Sequence, residues 1–87
     1  MVNYKLDFSD EGKLSFSSLD KAVAQRILNK LKWLTQNIEA ISPLPLKWKY
    51  EGLYKLRIGD WRVIYDINHD QKMITVHKVG HRREIYK

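Results

Sequence analysis

Three strand-like segments in the C-terminal half, separated by short breaks, restrict the possible folds of this chain more than any other feature. Segments 53–58, 61–68 and 72–79 are rich in β-branched and aromatic residues. Gly59-Asp60 separates the first two, and a two-residue break of this kind is typical of a tight β-hairpin. Residues 68–71 form the second break, which is also of hairpin length. We therefore expect three consecutive antiparallel strands.

The N-terminal half predicts one more strand and one long helix. Residues 2–8 alternate apolar and polar side chains, as a strand does. A helix is expected from Ser18 or Asp20 onward, since each can cap it. Pro43 and Pro45 end it and force an extended connection. The apolar stripe of this helix consists of Val23, Ile27, Leu31, Leu34, Ile38 and Ile41.

Residues 9–18 leave a second helix open. Ser9-Asp10-Glu11 resembles a helix start, whereas Gly12 and the surrounding serines weaken the pattern. The sequence thus predicts a single α+β domain spanning residues 1–87. Its small antiparallel sheet has about four strands, and one or two N-terminal helices pack on one face.

The hairpin register predicts which side chains share a face of the sheet. A two-residue loop at Gly59-Asp60 places Arg57 opposite Arg62, with Lys55 one step away on the same face. Continuing the ladder with Ile67 opposite Lys72 would bring His77 beside Arg62. The other face, expected to be the core, carries Tyr54, Leu56, Ile58, Trp61, Val63, Tyr65 and Ile67.

The charges favour an anionic partner. The formal net charge is +6, and nucleic acid is the commonest anionic partner of so basic a domain. Like charges directly opposite on a ladder cost roughly 0.2–1 kcal/mol, so stability does not explain the pairing of Arg57 with Arg62. The alternative is a solvated face on which Asp66 or Glu51 neutralises one cation.

The C-terminal tail interleaves basic residues with an aromatic. Arg82 and Arg83 follow the last predicted strand, and Tyr86 lies one position before the C-terminal lysine. Guanidinium groups hold phosphates while an aromatic ring stacks on a base, so the combination suits RNA. A solvated basic end is the alternative.

Several classes of site find no support in the sequence. Without cysteine there is neither a disulfide framework nor a thiolate metal site. His69, His77 and His81 lack a fourth partner and the helical spacing of a zinc pair, so we expect no metal and no cofactor. The sequence shows neither a secretory signal nor a membrane-span pattern, which predicts a cytoplasmic protein without a membrane partner.

Two C-terminal stretches carry a resemblance to a known family. Residues 52–65 read GLYKLRIGDWRVIY and residues 79–86 read VGHRREIY. Both are similar to the motifs of RelE-type toxins of the RelE/ParE superfamily, whose fold is microbial-RNase-like. The resemblance implies the toxin of a type II toxin–antitoxin system, an mRNA interferase. Such an enzyme is a metal-independent endoribonuclease that cleaves mRNA in the ribosomal A site through attack of the RNA 2′-hydroxyl.

The resemblance also implies roles for particular residues. Lys55 and Arg57 match the two basic positions of one strand, and Arg62 matches the phosphate-gripping arginine of the next. Arg82 and Tyr86 match the arginine and tyrosine that follow the last strand. Further RNA contacts are expected from Lys49, Lys78 and Arg83.

Two positions depart from the RelE pattern, which has lysine at both. Arg57 holds its charge and is therefore unable to act as a general base. Histidine is the commonest side chain for proton transfer in enzymes, so His81 is the candidate proton donor or acceptor.

The resemblance implies partners as well: mRNA, the 70S ribosome, and a RelB-like antitoxin that is acidic and partly disordered when free. The toxin–antitoxin complex is expected to bind operator DNA through the antitoxin. Two alternatives remain open, a ParE-like inhibitor of DNA gyrase and a non-catalytic RNA- or ribosome-binding module.

Overall fold

Two helices and a five-stranded sheet form the domain in the computed structural model, which describes residues 3–85. The strands lie in the order β1-β5-β4-β3-β2. No helix among the described residues is long and apolar enough to cross a membrane. In chain order the elements are β1 (Lys5–Phe8), α1 (Asp10–Ser17), α2 (Lys21–Asn37), β2 (Leu44–Pro45), a 3-10 helix (Trp48–Tyr50), β3 (Tyr54–Ile58), β4 (Trp61–Asn68) and β5 (Met73–His81).

The sheet differs from the expected one in two respects. It has five strands rather than about four, because Leu44–Pro45 adds a short edge strand beside β3. It is also not wholly antiparallel, because β1 runs parallel to β5, with Lys5 opposite Met73. No hairpin joins β1 to β5, because residues 9–72 lie between them in the chain. Hairpin spacing therefore carried no information about their relative direction.

Residues 10–17 do form a helix, which answers the question that the sequence left open. The Ser9 side chain caps it by accepting a hydrogen bond from the backbone N–H of Gly12 at 3.1 Å. A Cβ at Gly12 would lie 2.1 Å from the carbonyl oxygen of Val76 in β5. Only glycine lets α1 approach the strand this closely, so the residue that weakened the helix prediction is the one its packing requires.

Helix α2 covers one face of the sheet and forms the core. Its predicted stripe is confirmed, although the helix ends at Asn37 with Ile38 as its C-cap. Each fully buried leucine or isoleucine contributes roughly 1.5–3 kcal/mol relative to an exposed one. The buried apolar cluster consists of Tyr4, Ile27, Leu31, Leu34, Ile38, Ile58, Val63, Tyr65, Ile74, Val76 and Val79.

Tyr65 lies at the centre of this core. Its side chain is 1% exposed, and its ring centroid lies 5.8 Å from that of Tyr54 on the neighbouring strand. Burial, and secondarily the electrostatic influence of Tyr54, raises the pKa of Tyr65 from 10.0 to about 12.

The first hairpin has the predicted register, and the second does not. Arg57 lies opposite Arg62 and Ile58 opposite Trp61, as expected. Ile67, however, pairs with Ile74 rather than with Lys72, and the register shifts between Ile64 and Tyr65. The predicted position of His77 beside Arg62 is therefore wrong. The turn falls at residues 69–72, one position later than expected, which moves every pairing by two residues, and the β-bulge moves the pairing of Arg62 by one more. A pattern of alternating side chains reveals neither change.

Candidate nucleic-acid interface

The sheet face that points away from α2, here called the outer face, carries the predicted cations. Arg57 and Arg62 lie opposite each other on β3 and β4. Two residues farther along each strand, Lys55 pairs with Ile64, and Ile64 in turn pairs with Lys78 on β5. Side chains alternate along a strand, so the two positions present their cations on the same side of the sheet.

Arg62 is held against the β3–β4 turn. Its Nη1 donates hydrogen bonds of 2.8 Å to the carbonyl oxygens of Gly59 and Trp61. A guanidinium has five N–H donors, so two bonds to the turn fix its orientation and leave donors for an anion. The half-buried side chain is thus pre-positioned by the backbone that it contacts.

Arg82 joins the same turn from the end of β5. Its backbone N–H donates to the carbonyl oxygen of Asp60 at 2.8 Å, and its Nε lies 3.5 Å from the Asp60 carboxylate. Both side chains are more than half exposed, so this ion pair contributes about 0–1 kcal/mol to stability. The backbone bond is the firmer link between the tail and the turn.

Arg26 of α2 is a member of this group that sequence reasoning missed. Its Nη2 lies 3.0 Å from the position that a Cβ on Gly59 would occupy. Gly59 has a φ of 58°, which glycine adopts without strain. The name arginine cluster is used here for Arg26, Arg62 and Arg82, which lie at this turn, together with Arg57, which lies opposite Arg62 on β3. The only sequence signal for Arg26 was its place beside Ile27 on the core stripe, and the packing of α2 decided the rest.

His81 ends β5 on the opposite face from the paired arginines. It lies opposite Trp61, with the two ring centroids 5.6 Å apart in an edge-to-face arrangement. Its Nδ1 accepts a hydrogen bond from the backbone N–H of Arg83 at 3.2 Å, so in the neutral ring Nε2 carries the hydrogen. The proton-transfer role of His81 stays a prediction, because its ring lies on the opposite face of the sheet from Arg57 and Arg62.

The tail folds back onto the sheet. The backbone N–H of Ile85 donates to the carbonyl oxygen of His81 at 3.0 Å. The Ile85 side chain is 1% exposed and packs over Gly80, on the strand position next to Arg62. Arg83 is exposed, and Tyr86 lies outside the described residues.

The segment before β3 presents an aromatic to solvent. Trp48 is 91% exposed and has a φ of 62°, a backbone conformation that residues other than glycine rarely adopt. It therefore does not pin the connection to the sheet. Lys49 is exposed beside it, with its Nζ 5.2 Å from the ring centroid of Tyr50.

Charge dominates the chemistry of this end of the sheet. Within residues 3–85, no three His, Cys, Asp or Glu side chains are grouped closely enough to hold a metal ion. Clustered guanidinium groups supply positive charge in a fixed arrangement, which suits binding of phosphate oxygens and stabilisation of charge that develops on them.

The chain has a recognisable family and many structural neighbours. The family model of the ParE toxin of type II toxin–antitoxin systems (parDE) matches residues 8–86. No curated protein matches the chain at a significant level.

Among solved structures, the toxin–antitoxin complex RelBE2 of Mycobacterium tuberculosis matches with a TM-score of 0.82 and 20% identity, over 93% of this chain and 100% of that one. The isolated RelE toxin of E. coli matches with a TM-score of 0.76 and 21% identity, over 95% of this chain and 90% of that one. A chain of the archaeal RelE–RelB complex from Pyrococcus horikoshii matches with a TM-score of 0.72 and 26% identity, over 95% and 99% of the two chains.

Proposed function

The chain belongs to the ParE toxin family of type II toxin–antitoxin systems, within the RelE/ParE superfamily, and we propose that it is an mRNA interferase. It would cleave mRNA in the A site of the ribosome and so inhibit translation. The observation that carries this proposal is the arginine cluster, in which Arg26, Arg62 and Arg82 lie at the β3–β4 turn and Arg57 pairs with Arg62.

RNA supplies its own nucleophile, which makes such a site sufficient in principle. The 2′-hydroxyl attacks the adjacent phosphorus, the P–O5′ bond breaks, and the products are a 2′,3′-cyclic phosphate and a 5′-hydroxyl. The protein must align the two groups, stabilise the negative charge on the phosphorane and move two protons. Guanidinium groups perform the second task without a metal ion.

The positions of the cations support a division of tasks. Arg62, fixed on the turn, would bind the scissile phosphate, and Arg57 with Lys55 would bind neighbouring phosphate oxygens. Arg82, at the same turn, would stabilise the leaving group or the transition state. Lys49, Lys78 and Arg83 would contact flanking nucleotides, and Arg26 adds charge from the side of α2.

Proton transfer is assigned to the tail. Tyr86 would stack on a base or take part in proton transfer. His81 is the candidate acid or base. Because its Nδ1 accepts from the Arg83 N–H, Nε2 of the neutral ring carries the hydrogen, and His81 would have to release that bond before it could accept a proton.

The chain would be neutralised by a RelB-like antitoxin. Several structural neighbours are complexes of RelE-type toxins with RelB, and a basic toxin favours an acidic, partly disordered partner. The antitoxin would cover the cations or add to the sheet edge. It would also carry the complex to operator DNA.

Mapping of mRNA ends after translation with the purified chain tests the proposal. We expect codon-phased cuts that require ribosomes, and a loss of about a hundredfold or more in Arg62→Ala. Arg62→Lys keeps the charge but loses the planar pair of donors to the turn and should retain only part of the activity. Lys5→Ala, on the distant edge strand, is the control and should cut as the wild type does. Intact mRNA with the wild-type chain, or full activity in Arg62→Ala, would refute the assignment.

Gyrase inhibition is the second candidate, because the matching family model is that of ParE toxins. A supercoiling reaction with purified gyrase distinguishes the two. Arrested gyrase together with uncut mRNA would favour this alternative.

A further inference from the structure

The bulge in the β4–β5 ladder gives the outer face a feature that the arginine cluster does not use. Val76 and Val79 both belong to the core, although they are three positions apart on β5. Between them, His77 and Lys78 both line the outer face, whereas in a regular strand they would point to opposite sides. Bulges re-aim side chains in this way and are frequent beside binding sites.

A hydrogen bond holds the His77 ring in place. Its Nε2 lies 2.6 Å from the carboxylate of Asp66 on the adjacent strand, and both side chains are about two-thirds buried. Since the carboxylate accepts from the Nε2 hydrogen, Nδ1 of the neutral ring carries a lone pair and is a hydrogen-bond acceptor. Asp66 therefore acts as a positioning residue for His77.

These side chains border a cleft of about 240 Å³, here called the outer cleft. Ile64, which is 1% exposed, forms its apolar floor. A cleft this size is below the roughly 300–1,000 Å³ of sites for drug-sized ligands, so it suits one small planar group. The lining residues are Glu11, Tyr50, Leu53, Ile64, His77 and Lys78.

The lining has the composition of a site for a nucleobase. An apolar floor and the Tyr50 ring offer contact to the flat faces of a base. Glu11 and His77 offer acceptors and Lys78 offers donors to the edge of that base. The Glu11 carboxylate offsets the charge of the Lys78 ammonium, so the two together do not favour a free phosphate over a neutral base.

The cleft also lies next to the cations that would hold the RNA backbone. Ile64, its floor, pairs with Lys55 on one side and with Lys78 on the other. Arg57 and Arg62 follow one step along the strands, about 7 Å away, since a strand rises about 3.3 Å per residue. That spacing is close to the distance between one nucleotide and the next along an extended single strand.

We propose that the outer cleft binds one unpaired nucleobase of the RNA substrate and discriminates among bases through His77 and Glu11. This inference rests on the proposed ribonuclease function, because it assigns that site a base-selective subsite.

Nucleotide binding by the full chain tests the subsite without requiring cleavage. The four ribonucleoside 5′-monophosphates, and inorganic phosphate as a control, are titrated into ¹⁵N-labelled protein, and the backbone amides are followed by NMR. We expect shifts at Ile64, His77 and Lys78, affinities that differ among the four nucleotides, and no such shifts with phosphate alone. His77→Leu should lower the affinity for the tightest-binding nucleotide roughly five- to tenfold, which is the effect of one lost hydrogen bond in a partly buried site.

His69→Leu is the matched control. His69 also has one hydrogen-bonding partner, the Tyr4 hydroxyl at 2.8 Å, but it lies in the β4–β5 turn outside the cleft. His77→Gln keeps a polar side chain and should change the order of preference among the nucleotides, which a purely structural role for His77 would not do. Its amide spectrum verifies the fold.

Equal affinity for all four nucleotides, shifts confined to the arginine cluster, or unchanged binding in His77→Leu would overturn the proposal. The outcomes remain separate from those of the cleavage test. A chain that cuts mRNA but binds nucleotides without selectivity refutes only the subsite. A chain that leaves mRNA intact yet binds nucleotides selectively in the cleft refutes only the ribonuclease function.

Discussion

Replacing Arg57 by threonine should make the protein more stable and less active. Arg57 is exposed and lies directly opposite Arg62. Two unit charges roughly 7 Å apart at the surface repel each other by about 0.6 kcal/mol in water. This agrees with the roughly 0.2–1 kcal/mol measured for like charges across a ladder. Threonine also favours strands.

The gain should be visible in thermal melts at low ionic strength. For a domain of this size, about 0.6 kcal/mol raises the melting temperature by roughly 2–5 °C. At about 1 M salt the Debye length falls to about 3 Å, so a repulsion across roughly 7 Å is screened about tenfold and the gain should vanish. The same variant should lose mRNA cleavage by roughly a hundredfold, since a phosphate-binding guanidinium is removed.

Lys5→Thr is the matched control, because Lys5 is an exposed strand cation paired with Met73 rather than with another cation. It should change stability by no more than about 0.5 kcal/mol and leave cleavage unchanged. Arg57→Thr that melts below the wild type at low salt, or a gain that persists at about 1 M salt, would refute the view that charge repulsion is retained for function.

Three further predictions follow from the fold. Gly12→Ala should destabilise by about 1–3 kcal/mol in urea unfolding despite the better helix propensity of alanine, because its Cβ would overlap the Val76 carbonyl oxygen; equal or higher stability would contradict the close approach of α1. Tyr65 has a folded pKa of about 12, above its ordinary value of 10.0, so its stabilisation is present below pH 10 and lost as the pH rises through 12. Between those pH values the wild type should lose roughly 2–3 kcal/mol more of its free energy of unfolding than Tyr65→Phe does. Curves of unfolding free energy against pH that run parallel for the two proteins would count against this prediction. Trp48→Gly should raise the melting temperature, since it removes about 1 kcal/mol of left-handed backbone strain from a side chain that is 91% exposed; Lys72→Gly, at the other non-glycine residue with a positive φ among residues 3–85, is the comparison, and a fall in both would contradict the strain.

Features that depend on neighbours in sequence were predictable. The register at Arg57 and Arg62 followed from the two-residue turn, and the stripe of α2 followed from apolar spacing. The resemblance to RelE-type toxins also followed from residues close together in the chain, and the family match confirms the superfamily. Each of these signals is encoded within a window of about twenty residues or fewer.

Features that depend on contacts between distant parts of the chain were not predictable from the sequence. The parallel pairing of β1 with β5 joins residues almost seventy positions apart, and no local pattern specifies its direction. The position of the β4–β5 turn and the bulge beyond it together place His77 beside Asp66 rather than Arg62, and the alternating pattern specifies neither. Arg26 joined the arginine cluster only because α2 crosses the sheet near Gly59.

The sequence by itself determined the alternation that separates a core face from a cationic face, because side-chain direction along a strand is a local property. It also determined the hairpin that pairs two arginines. Tertiary structure alone decided that Gly12 lies within a helix rather than breaking one, that Arg26 and Arg82 reach the turn that Arg62 contacts, and that His77 and Lys78 line the same cleft. Those outcomes arise from close approach between segments far apart in the chain, and local propensity is outweighed wherever such contacts bury or position a group.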